Sequence, residues 1–280
     1  GVGIGADCGR VQRGQVPDAE QHEQAEHVIE VGVREQHGVE RQVAARADIC
    51  SFVSEAEAAL FRNACGLGAD RIVALENGVA LDYFDPAADF PAVEKGAGPL
   101  IVFTGQMDYR PNVEAVESFA RQTLPAIQSA RPDARFAIVG RNPSKPVQAL
   151  ADLPGVIVTG GVPDVRGWLA AADLVVAPLR IARGIQNKVL EAMAMARPVV
   201  ASPQAAEGID AVDGRDFLIA ADPAAEARTI LSLLADPARG TQLGLAARRR
   251  VEDRYRWSAT LGGLPDLLLG APGKADPQAA

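Results

Sequence analysis

From Pro99 onward the chain repeats one pattern. Runs of four or five mostly apolar residues, several of them closed by a glycine or proline, alternate with stretches of helical character. The apolar runs at Leu100–Thr104, Arg135–Val139, Val156–Thr159, Leu174–Pro178, Pro198–Ala201 and Phe217–Ala220 read as strands. Helices are predicted from Asn112, as cap, to about Ala130, from Lys145, over Asp164–Ala172, from about Ile185 to Met195, and over Ala224–Leu234, Pro237–Tyr255 and Ser258–Leu269. A strand with no polar face must be covered on both sides, which a parallel sheet sandwiched by helices provides. The expected fold class is therefore α/β, a doubly wound parallel six-stranded sheet.

Ahead of Pro99 the pattern is thinner. Asp48–Val53 and Arg71–Leu75 read as short strands, and Ser54 with Glu57 three residues on forms a capping box. Asn77-Gly78 is a turn signal, and residues 85–98, with Pro86, Pro91 and Gly98, read as a linker. Residues 1–45 differ in kind. They contain no Leu, Phe, Tyr, Trp, Met or Lys, yet hold all three histidines. A segment whose apolar residues are almost all Val and Ala gains little on burial to set against its chain entropy. It is expected to be a poorly ordered tail, the remnant of an upstream domain, or no genuine coding frame, with an isolated local helix around Ala19–His37 as the ordered alternative.

A chain of 280 residues is long enough for one large or two small domains without staples. A net charge of -8 argues against non-specific nucleic-acid binding while leaving room for a local basic pocket. Cys8, Cys50 and Cys65 have no CxxC spacing, and His22, His27 and His37 lie apart from the cysteines in any zinc-like pattern. No apolar run reaches 18 residues, and the N-terminus has no charged-then-apolar leader pattern. Walker A, GxGxxG and GxSxG motifs are lacking.

In an open α/β sheet ligands bind at the carboxyl ends of the strands. Those ends are predicted at Gly105, Gly140-Arg141, Gly160-Gly161, residues 178–184 and Ser202. Glycines there either make tight turns or let backbone approach a ligand. The richest end is residues 177–194, where Arg180, Arg183 and Lys188 crowd a strand-to-helix junction in an acidic chain. Cations added to a helix N-terminus make an anion site suited to a phosphate or diphosphate. Glu191 is either a surface partner of Lys188 or an acceptor for sugar hydroxyls, and spacing leaves both readings open.

The stretch IARGIQNKVLEAMA (181–194) with RPVVAS (197–202) resembles the donor-binding motif of retaining glycosyltransferases of the GT-B fold, family four. More narrowly it resembles the sugar transferases associated with the exosortase/PEP-CTERM exopolysaccharide system. The blocks FVSEAEAALF (52–61), ENGVALDYFDP (76–86), FTGQMDYRPNVEAVESFA (103–120), AIVGRNP (137–143) and VTGGVPDVRGWLAAADLVVAPL (158–179) agree. The resemblance covers about residues 46–269. It implies two Rossmann-like domains, with residues 46–98 a remnant of the acceptor domain and linker, 99–256 the nucleotide-sugar-binding domain, and 257–280 a crossover helix and tail. Most of the acceptor domain is then missing, and exposed apolar surface is expected where 46–90 and 257–269 lack their partner.

Carried over by motif, the resemblance makes Lys188 and Arg183 catalytic helpers that hold the diphosphate with the amides near Gly184. Glu191 binds the ribose, Gly105 lies near phosphates and sugar, and Gly140, Arg141 and Val162 lie beside the base. Two departures stand out. Arg183 occupies the place of a second family glutamate, and QMDYRPN (106–112) lacks the family's Arg and Lys, so that Arg183 or Arg110 replaces that charge. The implied reaction is transfer of a sugar from a nucleoside diphosphate sugar to a lipid-linked or saccharide acceptor. It proceeds with retention and without metal or cofactor, in the cytoplasm or peripherally at the inner membrane face. The competing expectation is a non-catalytic nucleotide-sugar-binding fragment; a GT-B epimerase is the third.

Overall fold

The computed structural model describes residues 40–182 and 184–269. The tail expectation for residues 1–39, with the helix around Ala19–His37, and the tail from 270 lie outside the described residues. Residues 40–46 are helical rather than loose. Ala44 is buried there against Ala58, Phe61 and Ile72, and Arg71 donates to the carbonyls of Ala44 and Ala45.

A small unit follows, made of β1 (Cys50–Phe52), α1 (Glu55–Cys65) and β2 (Ile72–Ala74), the two strands parallel with Cys50 opposite Ile72. Ser54 caps α1 by accepting the Glu57 backbone N–H at 3.3 Å. The return bond of the box comes from the Ser54 hydroxyl, which donates to Glu57 Oε2 at 3.1 Å. Gly66, at φ 70°, ends the helix in the left-handed region that suits glycine.

The larger unit runs β3 (Leu100–Thr104), α2 (Arg110–Ser118), α3 (Leu124–Ala130), β4 (Arg135–Val139), α4 (Lys145–Gln148), β5 (Val156–Gly160), α5 (Arg166–Ala171), β6 (Leu174–Ala177), α6 (Asn187–Ala194), β7 (Val199–Ala201), α7 (Pro203–Ala206), β8 (Leu218–Ile219), α8 (Pro223–Ala235), α9 (Pro237–Arg254), α10 (Trp257–Thr260) and α11 (Leu264–Leu269). Its strands are ordered β5-β4-β3-β6-β7-β8, all in parallel. The six-stranded doubly wound α/β sheet expected from the apolar runs is thus present. Every residue of β3, β6 and β7 is buried, as a sheet covered on both faces requires. The chain steps outward from β3 through β4 to β5, then returns to the other side of β3 at β6. Connections leave in opposite directions there, which opens a crevice beyond the carboxyl ends of β3 and β6.

Four local expectations are corrected. Asn112 does not cap its helix; α2 begins at Arg110 with Pro111 in its first turn, and the Asn112 side chain is engaged elsewhere. The helix expected from Asp164 starts at Arg166, whose N–H is accepted by Asp164 at 2.9 Å. The helix expected over Ser258–Leu269 is broken into α10 and α11 around Gly262-Gly263. Asn77-Gly78 is not a tight turn. Gly78 lies where a Cβ would stand 2.8 Å from the Trp257 ring, so it is needed for close approach.

Between α2 and α3 the helix passes through a π turn, Phe119–Thr123, closed by the Leu124 N–H to the Phe119 carbonyl. Pro125 explains it. A proline within a helix has no N–H to give and crowds the carbonyl four residues back. One extra residue in the turn relieves both. Thr123 is buried in that turn and donates to Glu226 Oε2 at 2.7 Å.

The two units meet where the chain crosses back. The Val79 N–H donates to the Tyr255 carbonyl at 2.8 Å, Val79 bridges Arg256, and Arg254 pairs with Glu76. Leu60, Val43, Val53 and Trp257 are exposed. Among the described residues no helix is long and apolar enough to cross a membrane.

Candidate functional site

A cleft of about 680 Å³ opens at the crevice between β3 and β6. It is lined by residues from the ends of β3, β4 and β5 and from the first turns of α6. That size suits a nucleotide-scale ligand. The floor is β3 itself, which ends at Thr104 and Gly105. Thr104 is 4% exposed and its hydroxyl has no hydrogen-bond partner among the described residues.

Two glycines shape the walls. A Cβ on Gly140 would stand 1.6 Å from the Gly105 carbonyl oxygen, so the loops after β3 and β4 can close on each other only with glycine there. A Cβ on Gly105 would stand 2.8 Å from Asn112 Nδ2 and 3.1 Å from Lys188 Nζ. Arg141 donates to Gln106 Oε1 at 3.3 Å, and Asn142 donates to Asp108 at 3.2 Å, tying the same two loops further. Hydrogen bonds from Gln106 and Asn142 hold the Asp108 carboxyl below its usual range. Gly161, Val162 and Val165 complete the side beyond β5.

Helix α6 supplies the charge. Asn187 and Lys188 stand in its first turn and Glu191 one turn on, and all three line the cleft. The helix forms because Val189, Leu190, Ala192 and Met193 bury one face, which turns Lys188 and Glu191 toward the crevice. Burial pushes the Lys188 ammonium down to about 8, with the Glu191 charge opposing the shift. Burial pushes the Glu191 carboxyl up, with Lys188 opposing. Lys188 Nζ lies 4.3 Å from the centre of the Phe103 ring and donates to Asn112 Oδ1. Among the described residues the Glu191 side chain has no hydrogen-bond partner.

Of the residues singled out in the sequence, Gly105, Gly140, Arg141, Val162, Lys188 and Glu191 are brought together in this cleft. Arg183 lies outside the described residues. Arg110 is not brought in. It sits at the start of α2 with its side chain turned to solvent, paired with Glu114 at 2.6 Å one turn on. Gly184, at φ 61°, lies away from the cleft, against Val53 and Glu57 of the small unit. Arg180 also turns away and donates to Ser118 at 3.1 Å. Sequence reasoning missed Gln106, Asn112 and Asn187. Asn112 carried a signal, a small polar residue beside proline, but that signal reads equally as a helix cap.

Residues 98–236 match the family model described as Glycosyl transferases group 1. A GDP-mannose-dependent alpha-(1-6)-phosphatidylinositol monomannoside mannosyltransferase of Mycolicibacterium smegmatis is 28% identical over 250 residues, covering 82% of this chain and 64% of that protein. Alpha-maltose-1-phosphate synthase of the same species is 30% identical over 245 residues, covering 79% of this chain and 62% of that protein. The chain thus spans somewhat less than two thirds of the length of these relatives. Among solved structures, sucrose-phosphate synthase from Thermosynechococcus elongatus superposes with a TM-score of 0.67 at 25% identity, covering 85% of this chain and 62% of that one. HepE from Anabaena in complex with UDP and glucose gives a TM-score of 0.68 at 15% identity, over 84% of this chain and 66% of that one. Residues 98–236, which contain this cleft, match the group 1 glycosyl transferases, and the six-stranded sheet shares the fold of a domain of solved GT-B glycosyltransferases.

Proposed function

We propose that this protein transfers a sugar from a nucleoside diphosphate sugar to an acceptor, with the donor held in the cleft above β3 and β6. One observation carries the reading. A half-buried cation, Lys188, and a half-buried carboxyl, Glu191, stand one turn apart on α6 at the switch point of the sheet. The leaving diphosphate gains negative charge in the transition state, and a cation fixed in a poorly hydrated site stabilises it without reorganising. Lys188 supplies that cation, and the sequence motif offers Arg183 as a second one. The Gly105 and Gly140 backbone lets the phosphates come close. Glu191 accepts hydrogen bonds from the ribose hydroxyls, and Arg141 with Val162 flank the base. Arg110 and Gly184 have no part in this arrangement as it stands.

Transfer with retention and without a metal or other cofactor is the expected chemistry of the resemblance. The acceptor is proposed to be a saccharide or a lipid-linked saccharide in exopolysaccharide assembly, met in the cytoplasm or at the inner face of the membrane. The mannosyltransferase relative, by its name, acts on a phosphatidylinositol mannoside, which supports a lipid-bearing acceptor. Titration calorimetry with UDP and GDP tests donor binding; absence of heat with either sinks the reading. A product assay with the matching nucleotide sugar separates transfer from the competing reading. Donor binding without transfer leaves a nucleotide-sugar-binding module.

A further inference from the structure

The ammonium of Lys188 is held on the protein side by neutral groups. Asn112 is 5% exposed in the first turn of α2, and its Oδ1 accepts from Lys188. Its Nδ2 donates to the Gln106 carbonyl at 2.9 Å, so the same carboxamide pins the loop after β3. The fully buried Phe103 ring packs 4.3 Å from Nζ. Two other sheltered cations meet carboxylates instead: Arg166 pairs with Asp164 at 2.6 Å and Arg248 with Glu252 at 2.8 Å. Glu191 makes no ion pair with Lys188 within 4.0 Å among the described residues.

We propose that Asn112 is a positioning residue that fixes the Lys188 ammonium in the cleft while leaving its charge unneutralised for an anionic ligand. The inference rests on the reading of the cleft as a diphosphate site. A carboxylate at position 112 would make the same contact with the same shape, but the ammonium would then offer a diphosphate a cancelled charge. An alanine would leave the ammonium with no acceptor and free the Gln106 carbonyl. Among the described residues, the charged groups that line the cleft with Lys188 are Glu191 on its own helix and Arg141 on the loop after β4. Neither is altered by these changes.

The test is calorimetric titration of UDP and GDP into the wild-type chain and the variants Asn112→Asp, Asn112→Ala, Lys188→Met and Asn112→Ala/Lys188→Met, from pH 6.5 to 9.5, with thermal melts as the folding control. Lys188→Met is expected to weaken binding about a hundredfold. Asn112→Asp is expected to weaken it about tenfold or more at pH 7, and to move the fall in affinity with rising pH to higher pH, because the carboxylate keeps Lys188 protonated. Asn112→Ala is expected to move that fall to lower pH, and its loss should vanish in the Lys188→Met background. Wild-type affinity and pH profile in both Asn112 variants, with Lys188→Met collapsed, would overturn the role of Asn112 and leave the cleft reading intact. Unchanged binding in Lys188→Met would overturn the cleft reading itself. Asn112→Asp has the shape of the native side chain, so it remains informative if Asn112→Ala fails to fold.

Discussion

The sheet of the larger unit has a cavity at each end, and their charges are disposed differently. Beyond the carboxyl ends of β3 and β6, Lys188 meets a neutral amide and Arg141 meets the Gln106 side-chain oxygen. Beyond the amino ends, a larger cavity of about 830 Å³ is lined by Lys95, Arg131, Arg197 and Asp173. Two of these three cations are spent on carboxylates. Lys95 pairs with Asp173 at 2.5 Å, and Arg131 pairs with Asp133 at 3.3 Å. Asp173 also accepts the Leu100 N–H at 2.7 Å, and Arg197 donates to the Ala172 carbonyl at 3.1 Å, so this end ties strand starts together. Volume therefore does not mark the site. What marks it is charge left uncompensated by the fold, placed where strand ends and a helix N-terminus converge.

The comparison can be broken experimentally. The largest effect is expected from Lys188→Ala, which should weaken nucleoside diphosphate binding by about 2–3 kcal/mol in calorimetry, the scale of a hydrogen bond to a charged group, while the melting curve stays cooperative. Glu191→Gln comes next. It should weaken binding by about 1–2 kcal/mol, and a 2′,3′-dideoxyribose diphosphate should no longer be discriminated from the parent nucleotide.

A pH effect of intermediate size sharpens the contrast. The Lys188 pKa is lowered from its ordinary value of 10.5 to about 8. Between those values the unfolded chain holds the proton that the folded chain has lost, so stability rises with pH through that window. Donor affinity moves the opposite way, falling as pH rises through about 8. A stability profile and a binding profile measured together should cross, and parallel profiles would remove Lys188 from the site. The smallest effect is expected at the other end of the sheet. Lys95→Met should leave nucleotide affinity unchanged and alter stability by about 0.2–1 kcal/mol, as for a half-exposed ion pair. A tenfold loss of affinity there would end the distinction between the two cavities.

The sheet was legible because its strands are apolar at nearly every position, and a period-free run of that kind admits few alternatives. Gly105, Gly140, Lys188 and Glu191 were legible as a site because strand ends and a cationic helix start are visible in order along the chain. Asn112 and Gln106 were not, since their roles depend on which side chain lies across the crevice. Arg180 and Arg110 misled for the same reason: their charge is visible in sequence, but Ser118 and Glu114 claim it in space. The break after Trp257 falls at Gly262-Gly263, inside an apolar pattern that reads as one helix.

The π turn at Phe119–Thr123 has a further consequence for how this gene can vary. Each residue advances a helix by about 100°. The surplus residue therefore sets the rotational phase of everything downstream, and it is what aims Leu124 and Ile127 inward and places Thr123 under Glu226. Removing any one codon in that turn would swing the whole following segment by more than a quarter circle and drive Pro125 back into an ordinary turn. Point changes at the exposed Arg121 and Gln122 should be absorbed, whereas single-residue deletions should be among the least tolerated in the domain.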